Sequence, residues 1–456
     1  MSISIASTII LEDGQHDIPA TPATVNGEKV IFISFEPKDP ENPYNWSKSR
    51  KWICVAAITS FASITAINVS SYASGIPSMQ KEWPGTTFVE CIGANALHLV
   101  IIAFAPMIIA PISENLGRKD LFILSALLNF LCFIPQALAP HISVIYVARM
   151  FQGIAGSAGN SLSGGLIADI FTAKNRGHAM ACLTTSIICG QAIGGIMGGW
   201  IAQELGFRWL FWVDCIIACI IVVMMIPSLK ETRGAYILIK RAKALTKKTG
   251  IVHKAAGVEG GTNVKEVLRT TVVRPFILLL TEPIVLFFSL WAGLIWGILT
   301  MLYVSVPIVW TSYGFSQGLS GTTFIFMLIG GVVGFITNMY QEKLYHRSMK
   351  KHNGFAAPEA RLYLASISGI VFPTSLFWYA WTGRPSIHWM SGETALFFSI
   401  VAIYHIYLSI FTYLADVYEQ YGSSALAAQS LLRNLFAAFF PMFAKTMYEN
   451  MGPESD

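Results

Sequence analysis

The residues of this chain that could do chemistry are the charged and polar ones set inside apolar stretches. Residues 149–171 read Arg-Met-Phe-Gln-Gly-Ile-Ala-Gly-Ser-Ala-Gly-Asn-Ser-Leu-Ser-Gly-Gly-Leu-Ile-Ala-Asp-Ile-Phe. A guanidinium, Arg149, stands near the start of an apolar run and a carboxylate, Asp169, ends it. A charge in mid-membrane costs about 3 kcal/mol on insertion scales, so it faces a water-filled path or a partner. Spacings of three and four put Arg149, Gln152, Gly153, Gly156 and Asn160 on roughly one helix face. The many small residues let neighbouring backbones come close. A charged, closely packed helix of this kind reads as part of a transport path. The bland alternative for Arg149, a structural partner for a carbonyl or carboxylate, stays open.

Four further groups stand out. Asp214 is a lone carboxylate in an apolar run just inside Trp209 and Trp212. It could bind a proton or a cationic substrate, or be an interfacial acid paired with a polar neighbour. The loop Ala110 to Lys119 holds Glu114, Gly117, Arg118 and Lys119. With Asp169, Arg176 and Asp416 these residues suit a latch at one face of the membrane. Gly190, Gly194, Gly195, Gly198 and Gly199 give a flat helix face for close packing. Gln191, Trp291, Trp296, Tyr303 and Arg433, with Asn160, are candidates for a substrate cavity; for the aromatics, lipid contact or core packing is the alternative. His98 and His405 read better as satisfied buried histidines.

Composition sets the class. The chain has 456 residues, 54% hydrophobic and 12% charged, against about 25% charged in a soluble domain. It is expected to be an all-α polytopic membrane protein. The net charge of +5 is small and concerns orientation rather than nucleic acid. The seven cysteines lie in apolar runs without metal-ligand spacing, so neither disulfides nor a metal site is expected. No Walker motif, catalytic triad pattern or HExxH occurs, so no enzyme activity, ATP use or cofactor is expected. Met1–Ile10 lacks the basic start of a signal peptide, so the first span should act as the insertion signal.

Eleven apolar runs of spanning length follow, at about 54–75, 91–112, 121–139, 143–167, 180–202, 209–228, 284–309, 321–339, 362–382, 393–415 and 424–444. Each meets the roughly 20 residues a membrane helix needs. Of 31 Lys and Arg, 25 fall in the N-terminal tail and alternate loops and 4 in the others. That asymmetry predicts a cytosolic N-terminus. The predicted organisation is a disordered cytosolic tail (1–51), a six-helix bundle (52–228), a cytosolic central loop (229–282) and a second bundle (283–456). Within the loop, Lys230 to Lys248 reads as a basic amphipathic helix and Gly257 to Thr262 as flexible.

These stretches together resemble the major facilitator superfamily, and within it the fungal drug:proton antiporters with twelve helices. The loop at 110–119 is similar to the family's motif after helix 2. Arg149, Gln152 and Gly153 match the helix 4 motif, and residues 190–199 the antiporter motif of helix 5. The fungal likeness rests on Asn42-Pro43 with Trp46-Ser47, Arg274-Pro275-Phe276, Pro358-Glu359-Ala360-Arg361, Tyr413-Leu414-Ala415-Asp416, Ser424-Ala425-Leu426-Ala427-Ala428, Arg433 and Phe440-Pro441. It covers nearly all of residues 39–452. Four departures matter: Gln191 and Gly195 stand where prolines are usual, Val304 where an acid is frequent, Ala110 where a glycine leads the loop, and a twelfth apolar run is missing.

The resemblance implies two bundles rocking about a central site, and proton-coupled efflux of a small lipophilic molecule such as a drug, toxin or secondary metabolite. Arg149, Gln152 and Asp214 would serve transport and coupling. The expected partners are the substrate, protons and the bilayer, for a monomer in the plasma membrane or the vacuolar membrane. Few acids lie in the membrane, which favours neutral or acidic substrates over polyamines. The alternatives are a nutrient or polyamine carrier on the same fold, and a truncated, non-transporting or receptor-like protein.

Overall fold

A computed structural model describes residues 22–25, 28–256, 264–351, 357–418 and 422–450. Glu114 belongs to a helix but its side chain lies outside the described residues, as does the stretch Gly257 to Thr262. Ten helices among the described residues are long and apolar enough to cross a membrane. An eleventh crossing is broken in the middle. The chain is a multi-pass membrane protein.

The first bundle holds α1 (Lys48–Glu82), α2 (Phe88–Leu116), α3 (Arg118–Ala137), α4 (Ile142–Ser157) with α5 (Ser163–Ile170), α6 (Ala173–Glu204) and α7 (Phe207–Ser228). The interruption between α4 and α5 is a π turn at Ala158–Leu162, inside the glycine and serine cluster. A π turn leaves the helix locally wide. Helix starts follow sequence signals. At α2, the Thr87 amide donates to Glu90 Oε2 at 2.7 Å and the Glu90 amide to Thr87 Oγ1 at 3.2 Å, a reciprocal cap.

The second bundle holds α10 (Pro283–Ser312), α11 (Gln317–Thr322), α12 (Ile325–Lys351), α13 (Tyr363–Thr382), α14 (Met390–Val417) and α15 (Gly422–Asn450). The bundles meet where α6 packs on α11, α12 and α14 and where α2 packs on α15. Exposed Leu128, Val147, Phe151, Ile220, Val223, Phe287 and Ile370 form the outer wall a bilayer demands.

The glycines of α6 face two ways. A Cβ added at Gly190 would stand 2.9 Å from Ser63 O, and one at Gly198 3.0 Å from Ser71 Cα, both on α1. A Cβ at Gly195 would meet the Phe324 ring at 2.6 Å, and one at Gly199 would meet Gly321 Cα at 2.9 Å. One stripe therefore seats α6 on α1 and the other seats it on the second bundle. The single flat face expected from the spacing is two faces.

The central loop is richer than expected. It holds the basic helix α8 (Gly234–Thr249), a strand Val252–Ala255 and α9 (Val264–Thr281). The described part of the tail, where disorder was expected, folds onto this loop. Strand Glu28–Ile33 pairs in parallel with Val252–Ala255 and antiparallel with Pro22–Val25. Buried Asp39 takes a 2.6 Å hydrogen bond from Arg241 Nη1 on α8. A polar, Pro- and Asn-rich composition read as disorder because the partner strand is remote in sequence.

Candidate functional site

Arg149 on α4 is fully buried, 0% exposed. Its Nη1 donates to Asn68 Oδ1 of α1, and its guanidinium lies 4.1 Å from the centre of the Tyr72 ring. Asn68 Nδ2 in turn donates to Asp214 Oδ2 of α7 at 3.2 Å, and Ser71 Oγ donates to the same oxygen at 3.0 Å. Arg149 and Asp214 thus sit in one buried line with Asn68 between them. Arg149 Nε and Nη2 have no hydrogen-bond partner. Aromatic faces take up part of that unmet charge.

Neighbouring polar residues on α4 are tied down. Gln152 Oε1 accepts from Gln136 Nε2 at 3.2 Å. Asn160, at the π turn, accepts from Thr65 Oγ1 at 3.2 Å. His98 Nδ1 lies 3.3 Å from Arg149 O, while its buried Nε2 has no partner. Gly153 presses on α2, where an added Cβ would stand 2.8 Å from His98 O. Gly156 has ordinary room, with the Thr65 methyl 3.4 Å from an added Cβ.

The face of the bundle that carries the tail and α8 holds the residues expected to form a latch. Gly117, at φ 91°, lets the chain turn sharply into α3. Arg118 Nε meets Asp169 Oδ2 at 2.7 Å, and Arg233 Nη1 meets Asp169 Oδ1 at 3.4 Å. Glu231 closes the start of α3, accepting from the Arg118 amide at 3.0 Å and the Lys119 amide at 3.3 Å. Lys119 contributes through its backbone here. Asp416 belongs to a second cluster: Arg361 bonds Asp416 Oδ2 at 3.0 Å and Glu342 Oε1 at 2.9 Å. Burial works against the Arg361 charge, but Asp416 and Glu342 hold its pKa above the ordinary arginine value.

Between the bundles lies a cavity of about 330 Å³, lined among others by Asn160, Arg118, Asp169, Arg176, Phe411, Gln429 and Arg433. Arg433 on α15 donates to Tyr407 OH, with Trp296 5.2 Å from its guanidinium. Towards the opposite face a second cavity of about 380 Å³ is lined by Gly199, Tyr303, Val304, Gln317 and Gly321. Tyr303 OH donates to Gln191 Oε1 at 3.2 Å, tying α10 to α6. Trp291 is elsewhere: it stacks on Phe288 at 6.3 Å and faces Gly369 of α13. It packs the second bundle and lines neither cavity.

Sequence reasoning missed Asn68, Tyr72, Glu231, Arg361, Glu342 and Glu393. Asn68 was visible as an amide inside the first apolar run. Glu393 was visible as an acid at the start of the tenth; it is 0% exposed and lies beside Thr323 and Trp310. The others could be found only by knowing which helices and loops meet.

With this geometry in hand, the Major Facilitator Superfamily model matches residues 54–441. The chain belongs to the major facilitator superfamily. This superfamily member is 34% identical over 424 residues to the MFS-type efflux pump MFS2 of Trichophyton rubrum, covering 92% of this chain and 71% of that one. It is 33% identical over 431 residues to the major facilitator superfamily multidrug transporter mdrA of Aspergillus fumigatus, covering 91% and 68%. Among solved structures it is similar to the partially occluded, inward open xylose transporter XylE from E. coli, with a TM-score of 0.60, 15% identity and coverage of 90% and 99%. That likeness concerns the fold. The fungal relatives agree with the branch read from the motifs.

Proposed function

We propose that this transporter exports a small lipophilic molecule in exchange for protons by alternating access. It works as a monomer in the plasma membrane with its N-terminus in the cytosol. The observation that carries the reading is the buried line Arg149–Asn68–Asp214. Asn68 accepts from Arg149 and donates to Asp214. A proton on Asp214 Oδ2 turns that acceptor into a donor. Asn68 must then turn its amide round or let go, and Arg149 loses its acceptor. A proton on α7 is thereby felt on α4 through α1. The names of the two relatives, an efflux pump and a multidrug transporter, support the export direction.

Tyr303, which lines the second cavity, is tied to Gln191 of α6. Opening one face and closing the other would pass substrate between them. The test is retention of the neutral lipophilic dye Nile red by cells expressing the full chain. Retention should fall below that of cells expressing Arg149→Ala, and a protonophore should abolish the difference. Equal retention, or a difference indifferent to the protonophore, overturns the reading.

A further inference from the structure

The cavity on the latch side has a charge balance that its export role does not explain. Its described lining includes four guanidinium groups, Arg118, Arg176, Arg233 and Arg433, and one carboxylate, Asp169. Asp169 is already held by Arg118 and Arg233. Arg433 lies deeper. It is 3% exposed, and its hydrogen bonds go to two hydroxyls, Tyr407 OH and Ser430 Oγ. Its Nε has no partner. One turn away on the same helix, Gln429 is 1% exposed, and neither its amide nitrogen nor its amide oxygen has a partner. Buried polar groups are nearly always hydrogen-bonded. Here an arginine and an amide, both lining the cavity, are left short together.

We infer that Arg433 and Gln429 form a subsite for a carboxylate, so that among the lipophilic molecules this chain exports an organic acid is held most tightly. This rests on the export reading and names the substrate class of the same cavity. Three physical points carry it. A buried guanidinium has already lost its water, so a carboxylate that reaches it gains the charge-assisted bond without a second desolvation of the protein. Gln429 can donate to the second carboxylate oxygen. Phe411 and Leu426 line the same cavity and offer an aromatic and aliphatic bed for the rest of the molecule. The volume, about 330 Å³, lies at the small end of the range of about 300–1,000 Å³ for small-molecule sites. An ammonium in this place would face an excess of positive charge.

The experiment uses three probes that share one ring system: 1-naphthoate, 1-naphthamide and 1-naphthylmethylammonium. Each is titrated at neutral pH against the purified full chain in detergent, with the thermal unfolding midpoint as readout. Naphthoate should bind about tenfold more tightly than the amide, the step from a neutral to a charge-assisted hydrogen bond. The ammonium should bind most weakly. Arg433→Gln should erase the preference of acid over amide, and Gln429→Leu should weaken the acid. If the amide or the ammonium equals the acid in the unaltered chain, or if Arg433→Gln keeps the preference, the subsite is wrong. Should Arg433→Gln fail to fold, the ranking in the unaltered chain decides. Nile red export reads the parent proposal separately. Export without the ranking sinks the subsite alone; the ranking without export keeps the subsite and sinks the export reading.

Discussion

Arg118 and Asp169 meet at 2.7 Å between the start of α3 and the end of α5, and Arg361 and Asp416 meet at 3.0 Å between the turn before α13 and the end of α14. The two pairs occupy corresponding places in the two bundles. Each closes the same face of its own half by joining an inter-helix turn to the end of a membrane helix. If the expected latch role holds, each pair forms one leaf of it. Asp169→Asn should therefore leave Arg118 buried and short of its counter-charge. Removing one partner from a buried pair costs about 3–5 kcal/mol; with 14% of the Asp169 side chain exposed, the lower end applies. Transport should fall at least tenfold while membrane insertion persists. Asp416→Asn should do the same through the other leaf. Thermal unfolding and dye export measure both, and normal export by either variant would remove its leaf from the mechanism.

The relay makes a sharper prediction. Asn68→Leu leaves both Arg149 and Asp214 in place but removes the group between them. Export should drop as far as in Arg149→Ala. Asp214→Asn keeps the shape and removes the titrating oxygen. It should allow downhill flux of the dye but abolish its dependence on a proton gradient. Glu393→Gln is the counter-test, because Glu393 is a fully buried carboxyl on α14 of the second bundle. If Glu393→Gln uncouples flux and Asp214→Asn does not, the proton site belongs to the second bundle.

Much of this architecture is legible in the chain because a bilayer permits few solutions. Ten of the eleven apolar runs are helices of spanning length among the described residues, the run at 143–167 is helix interrupted by a π turn, and Arg149 and Asp214 stood out as charges where charges are costly. What was hidden depends on contacts between remote segments. Asn68 is one amide among several polar residues of α1, and its role exists only because α4 and α7 flank it. Glu231 looked like part of a basic helix, yet it caps α3. Trp291 and Trp296 are five residues apart on one helix, so they face different ways. Asp416 was grouped with Asp169 by its position near a membrane edge, and the structure separates them into two leaves.

The glycines of α6 supply a contrast that packing distance decides. A Cβ at Gly199 would lie 2.9 Å from both Gly321 Cα and Gln317 O. Those are backbone atoms and cannot swing aside. Gly199→Val should cost about 1–3 kcal/mol by overpacking and keep the bundles apart at the face opposite the latch. A thiol reagent applied from that side should then label Thr322→Cys faster than in the unaltered background. Gly156→Ala is the control. Its new methyl meets Thr65 at ordinary contact distance, so export and unfolding midpoint should stay close to those of the unaltered chain.

The tail predicts a response to salt rather than to pH. Arg241 pairs with buried Asp39 at 2.6 Å, and that hydrogen bond, ahead of the other contributions, raises the Arg241 pKa. A base whose folded pKa is raised contributes stability below its unfolded value and loses it only as pH climbs through the folded one. Both values lie far above neutrality, so the Arg241 contribution should be flat from about pH 6 to about pH 9. Arg241 itself is 38% exposed, and exposed pairs are worth about 0.2–1 kcal/mol and weaken with salt. Arg241→Ala should therefore speed amide exchange across residues 30–46 several-fold without unfolding either bundle. High salt should produce part of the same effect in the unaltered chain. A loss of protection that tracks pH between those limits, and not salt, would show that another group holds the tail to α8.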